Sequence, residues 1–129
     1  MKETTKKLTN DDLRRACDYW QKVLRLQDWN VRIRFERFFN MPYKHQGTNV
    51  NNASKKTSLI AILDPSDWDG SEWQQDVEKT MVHELLHLHT ATFTDVTPPP
   101  YPLMLEEQAI ESLAGAFVGL HRELPWEAK

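Results

Sequence analysis

Apolar positions along the chain change from a helical to a strand-like spacing within the first 40 residues. Between Thr9 or Asn10 and about Leu26, apolar residues recur at three- and four-residue intervals, the spacing of an amphipathic helix: Leu13, Ala16, Cys17, Trp20 and Leu24. From Trp29 to Phe35 apolar and polar residues alternate, which predicts a half-buried strand. A second strand is predicted for the apolar run from Thr57 to Leu63, which Asp64-Pro65 ends.

The sequence pattern in the second half of the chain predicts two helices. Residues from about Ser71 to Thr90 are apolar on nearly every side toward the end, as expected for a central buried helix. Thr97 to Pro102 contains four prolines and predicts an extended connector. The last helix is predicted from about Leu103 to Arg122, with its inward side formed by Ala109, Ile110, Leu113, Phe117 and Leu120. The polar stretch from Met41 to Lys56 predicts a long loop, with room for a short strand near Val50.

These elements predict an α+β fold: an N-terminal helix, a small sheet of two or three strands and two C-terminal helices. The 129 residues are enough for one core, so residues 1–129 are expected to form a single domain. A formal net charge of −3 provides no general attraction to nucleic acid or anionic membranes. Cys17 is the only cysteine, and the N-terminus lacks an apolar signal segment, so a cytoplasmic protein is expected.

One short motif has residue types and a spacing that are typical of a functional site. His83-Glu84-Leu85-Leu86-His87 matches H-E-x-x-H, which places two imidazoles one helical turn apart, within reach of one metal ion. Zinc is the expected ion, and Glu84, beside the histidines, is placed to take a proton from an attacking water. His89 faces nearly opposite His87 and is read as structural. The longer motif with a third histidine fails, because Thr90 and Phe93 stand where it needs glycine and histidine.

A third metal ligand must therefore come from outside the motif. The acidic pair Glu106-Glu107 begins the last helix, which can present it to the histidines. Glu107 is favoured because Glu111 follows four residues later, where it can hydrogen-bond a ligand histidine. Glu106 is the alternative, since it points nearer the apolar side of the predicted helix. Helix-end charge complementarity explains whichever glutamate is not the ligand.

With these residues the sequence resembles the gluzincin zinc metallopeptidases, in which a glutamate on the next helix completes H-E-x-x-H. The run from 106 to 114 is similar to the second-helix motif of small phage-encoded and ImmA-like metallopeptidases. The resemblance implies a minimal zincin-like core, zinc at His83, His87 and Glu107, and Glu84 as the general base. For a phage-encoded protein the expected compartment is the host cytoplasm.

The resemblance also implies two features of substrate binding. An edge strand pairs with the substrate backbone in larger members, and residues Leu59 to Leu63 are the best candidate. A tyrosine or histidine often stabilises the oxyanion, and four residues of these types are candidates: Tyr43, His45, Tyr101 and His121.

The predicted function is hydrolysis of a protein or peptide by a zinc metallopeptidase. The alternative is a non-catalytic interaction module in which metal or a buried cluster stabilises the fold. A nucleic-acid-associated protease is a less favoured possibility, because strand arginines usually face solvent; it would use the basic residues Arg32, Arg34, Arg37, Lys44, Lys55 and Lys56. Oligomeric state is not predicted.

Overall fold

The computed structural model describes residues 8–41, 46–68, 75–94 and 103–123. Over these residues the chain has the predicted α+β fold, with a three-stranded mixed sheet and helices. The elements in chain order are α1 (Asn10–Val23), β1 (Asn30–Glu36), β2 (Gly47–Asn52), β3 (Thr57–Leu63), α2 (Val77–Thr94) and α3 (Leu103–Glu123). Short 3₁₀ helices lie at Phe38–Asn40 and Pro65–Asp67. The proline-rich connector lies outside the described residues.

The sheet has the order β1-β3-β2, with β1 parallel and β2 antiparallel to β3. The prediction that Leu59 to Leu63 form an edge strand is therefore wrong, because β3 is central. Its apolar sequence suits that position, since a central strand is buried on both sides. Polar β2, predicted only as a possible short strand near Val50, is an edge strand and pairs only with β3 among the described residues.

Helix α1 ends three residues earlier than predicted. Its N-terminus has a capping box, in which Thr9 and Asp12 each bond the other's backbone N–H. At the C-terminus Arg25 adopts a left-handed φ of 62°, and the Leu26 N–H bonds back to the Gln21 carbonyl. This Schellman-type ending turns the chain toward β1 and leaves Leu26 in the core.

Helix α2 begins at Val77, so the predicted start near Ser71 is wrong. Gln75 and Asp76 precede the helix and are not helical. Asp76 acts as the N-cap, because its Oδ1 accepts the Lys79 N–H at 3.0 Å and its carbonyl accepts the Thr80 N–H. Arg122 of α3 also bonds both Asp76 oxygens at 2.9 Å, which ties α3 to the beginning of α2.

The inward face predicted for α3 is wrong except at Ile110. The buried residues are Glu106, Ile110, Ala114 and Val118, whereas Leu113 and Leu120 are 46% and 58% exposed. At 100° per residue, the buried face lies roughly 70° around the helix from the predicted one. This orientation of α3 brings Glu106, Glu107 and Glu111 to α2, and Leu105 and Leu113 line an apolar groove with Val23 and Leu24.

One main core joins the sheet to all three helices. Its most deeply buried side chains include Trp20 of α1, Ile60 and Ile62 of β3, and Val82 and Leu85 of α2. No helix among the described residues has the length and apolar character needed to cross a membrane.

Candidate metal centre

Three predicted site residues meet between α2 and α3. His83 Nε2 lies 3.2 Å from Glu107 Oε2, and His87 Nε2 lies 2.8 Å from Glu107 Oε1. The two imidazole rings are 5.1 Å apart between centroids. Two histidine nitrogens and one carboxylate oxygen thus converge, with the three atoms within 4.8 Å of one another. We call these three residues the triad.

The other ring nitrogen of each histidine faces a second carboxylate. His83 Nδ1 lies 3.1 Å from Glu111 Oε1, in the contact predicted for Glu111. His87 Nδ1 lies 3.5 Å from Glu106 Oε2, and the Thr90 hydroxyl donates to the same oxygen. Both Nε2 atoms are therefore left to face the triad's centre. Glu106, the alternate ligand, lies on the far side of the His87 ring and is not part of the triad.

Glu84 lies beside the triad and against the sheet. Its side chain is buried, with the residue 7% exposed, and it approaches β2 at Gly47. Burial raises the pKa of the Glu84 carboxyl above its ordinary value, an effect that His87 and His83 partly offset and Glu107 reinforces. The carboxyl group is thus within electrostatic range of all three triad residues.

The donor set fits zinc. Zinc sites combine histidine nitrogen with carboxylate oxygen, and catalytic sites use three protein ligands to leave a position open. Metal-bound histidines usually donate their second N–H to a carboxylate or carbonyl. Glu111 accepts such a bond from His83, and Glu106 lies 3.5 Å from His87 Nδ1. Because both helices supply donors, a metal in the triad would also join α2 to α3.

Other candidate residues lie elsewhere. His89 Nε2 donates to the Leu24 carbonyl at 2.7 Å, as a structural histidine would. His121, an oxyanion candidate, bonds the Tyr19 hydroxyl and stands about 20 Å along α3 from Glu107, too far to serve the triad. The remaining oxyanion candidates lie outside the described residues: Tyr43, His45 and Tyr101.

Two contacts from β2 to the motif turn were not predicted from the sequence. Asn49 Nδ2 donates to the backbone carbonyl of Glu84 at 2.7 Å. A Cβ built on Gly47 would lie 2.6 Å from Thr80 Cγ2 and 3.3 Å from Glu84 Oε2, so only glycine fits without a shift. The sequence carried one signal, since G-x-N-x-N puts no apolar residue where a strand would face the core.

The remaining chemically interesting groups have structural partners. The Cys17 thiol is in the core, where burial raises its pKa to about 12, so it is not poised as a nucleophile. Three of the basic residues considered for nucleic acid are in ion pairs: Arg34 with Glu36, Arg37 with Asp67, and Lys56 with Asp28. Lys44 lies outside the described residues.

No protein-family model, no curated protein and no solved structure matches this chain.

Proposed function

We propose that the protein is a zinc-dependent metallopeptidase. The observation that carries the proposal is the triad, in which His83 and His87 of α2 and Glu107 of α3 point donor atoms at one position beside the buried carboxyl of Glu84. A purely structural zinc site could use the same three ligands, but it would give Glu84 no chemical role. Its position next to the triad favours catalysis.

Each residue has a role in the proposed reaction. Zinc held by the triad would polarise a carbonyl group and lower the pKa of a water molecule to about 7. Glu84 would accept a proton from the water that attacks the peptide carbonyl, and would then deliver it to the leaving amine. Glu111 and Glu106 hold the imidazoles so that Nε2 of each faces the triad.

The proposed substrate is an extended segment of a protein or peptide. Such a segment can add to an unpaired sheet edge through main-chain hydrogen bonds. In this fold β2 replaces the predicted Leu59 to Leu63 segment as the candidate edge, because it contacts Glu84 and pairs only with β3 among the described residues. The lone buried cysteine suits a reducing compartment, and we propose the cytoplasm, or that of the host for a phage-encoded protein.

The first test is metal content per chain after purification without added metal. We expect near-stoichiometric zinc in the wild type and little in His87→Ala or Glu107→Ala. If the wild type holds no zinc even after reconstitution, the proposal fails.

The second test separates catalysis from a structural metal. We expect Glu84→Gln to keep zinc and to lose at least about 100-fold in peptide hydrolysis, because the amide cannot accept the water's proton. Hydrolysis of casein or an insulin chain measures the loss, and zinc content is the control. Unchanged turnover in this variant would contradict the catalytic role of Glu84.

A further inference from the structure

The inner face of β2 differs from that of the other two strands. On β1 and β3 the residues facing the helices are mostly apolar, including Ile33, Ile60 and Ile62. The register places Gly47 opposite Ile62 and Asn49 opposite Ile60, so both β2 residues lie on this same face. Polar residues on this face bury less apolar surface than the apolar residues of β1 and β3 do. Their contacts must therefore account for their presence.

Asn49 uses both ends of its amide. Its Nδ2 donates to the Glu84 carbonyl at 2.7 Å, while Oδ1 accepts from Ser58 Oγ at 2.8 Å and from Asn51 Nδ2 at 3.2 Å. Ser58 belongs to β3 and is buried. Hydrogen bonds within the sheet therefore fix the Asn49 side chain, and Asn49 in turn bonds α2 at Glu84.

Gly47 sets the distance at the same place. It lies two residues before Asn49 on the same face, where any Cβ would press on Thr80 and the Glu84 carboxyl. Thr80 and Glu84 are one turn apart on α2, so Gly47 and Asn49 meet the same side of the helix. One residue permits close approach and the other fixes it by a hydrogen bond.

We infer that Asn49 is a positioning residue that fixes the edge of β2 left unpaired among the described residues relative to Glu84, and with it the alignment of a bound peptide backbone with the scissile site. This inference rests on the proposed function. It goes beyond the triad because the hydrogen bonds of the Asn49 side chain go to the Glu84 backbone carbonyl, Ser58 and Asn51. Its effect should fall on the binding of extended peptides and spare the metal.

The experiment compares two metal-directed probes on the zinc-loaded full chain. Acetohydroxamate can report on the metal alone, whereas trialanine hydroxamate also offers a peptide backbone to β2. Asn49→Asp keeps the size and the acceptor but loses the donor to Glu84. We expect it to weaken trialanine hydroxamate at least tenfold, with zinc content and acetohydroxamate affinity unchanged.

The matched control is Asn52→Asp. Asn52 ends the same strand on its outer face and uses only its Oδ1, which accepts from Ser54 and Lys55 and is retained in aspartate. This control should bind both probes like the wild type. The inference would be overturned if each probe bound the wild type, Asn49→Asp and Asn52→Asp with the same affinity. It would also be overturned if Asn49→Asp lost affinity for both probes to the same extent. A wild type that binds neither zinc nor acetohydroxamate would instead overturn the proposed function, and the inference with it.

A second pair of variants covers a failure of Asn49→Asp to fold. Gly47→Ala should weaken trialanine hydroxamate selectively, because the new Cβ meets Thr80 Cγ2. Adding Thr80→Ser removes that methyl group and should restore part of the binding, because the contact with Glu84 Oε2 at 3.3 Å remains. Failure of Gly47→Ala to weaken the peptide probe would count against the inference.

Discussion

Glu106 and Glu107 are neighbours in sequence but face opposite nitrogen atoms of His87. Glu107 reaches Nε2 and also the Nε2 of His83, whereas Glu106 faces Nδ1 from a buried position beside Thr90. The sequence narrowed the candidates for a third metal ligand to this pair, and the spacing to Glu111 favoured Glu107. It placed Glu106 nearer the apolar side of the helix, and Glu106 is buried. Its contact with His87 Nδ1 could not be predicted, because that contact depends on how α3 is turned against α2.

The two glutamates should differ in how strongly they affect zinc binding. Glu107→Gln exchanges a charged donor for a neutral amide, and we expect zinc affinity to fall more than about 100-fold. Glu106→Gln changes the group that faces His87 Nδ1 and accepts from Thr90, and we expect a loss of about 10- to 100-fold. Competition with a chromogenic chelator at fixed pH measures both. A larger loss in Glu106→Gln would contradict the assignment of Glu107 as the ligand.

Helix α3 shows where a hydrophobic pattern misleads. The pattern selects the side with the most leucine and phenylalanine, and that side includes Leu113, which is half exposed. The observed side carries the smaller Ala114, which lets α3 approach α2 and brings Glu107 and Glu111 to the histidines. The packing of small residues and the pairing of polar groups determine how α3 is rotated about its axis. A count of apolar residues measures neither of them.

Two truncations on α3 test this setting by the free energy of unfolding. Ile110 is 2% exposed in the main core, so Ile110→Ala should cost about 2 to 5 kcal/mol. Leu113→Ala is the matched change on the half-exposed side and should cost less than about 1 kcal/mol. Urea denaturation followed by circular dichroism measures both. The reverse order would mean that the predicted inward face of α3 is the buried one.

The strands were easier to predict than their order. Alternation in β1 and the apolar run in β3 were sufficient to locate both strands, since each pattern reflects local side-chain burial. Strand order depends on β2, whose inner residues are a glycine and two asparagines, of which Asn49 bonds α2. A polar edge strand of this kind resembles a loop in the sequence, so β3 was mistaken for the edge.

At the scale of the whole molecule, the proposed site and the core involve the same helices. Trp20, Leu85 and Ile110 belong to one buried cluster that also contains the sheet, so no helix has a core of its own among the described residues. The triad draws on α2 and α3, and Arg122 joins them again at Asp76. If residues 1–129 form a single domain, as predicted, unfolding should be one cooperative transition with or without metal.

Zinc should consequently stabilise the whole domain and not α3 alone. A ligand that binds only the folded state at 100 times its dissociation constant adds about 2.7 kcal/mol to the free energy of unfolding. For a domain of this size that corresponds to a rise in Tm of about 10 °C. Far-ultraviolet circular dichroism reports the helices and tryptophan fluorescence reports the core, and the two transitions should coincide in both states. Because we expect Glu107→Gln to bind zinc more than about 100-fold more weakly, the same zinc concentration should raise its Tm by no more than about 2 °C. Transitions that do not coincide in the metal-free protein would mean that the helices and the core unfold separately, and would contradict the single cooperative domain.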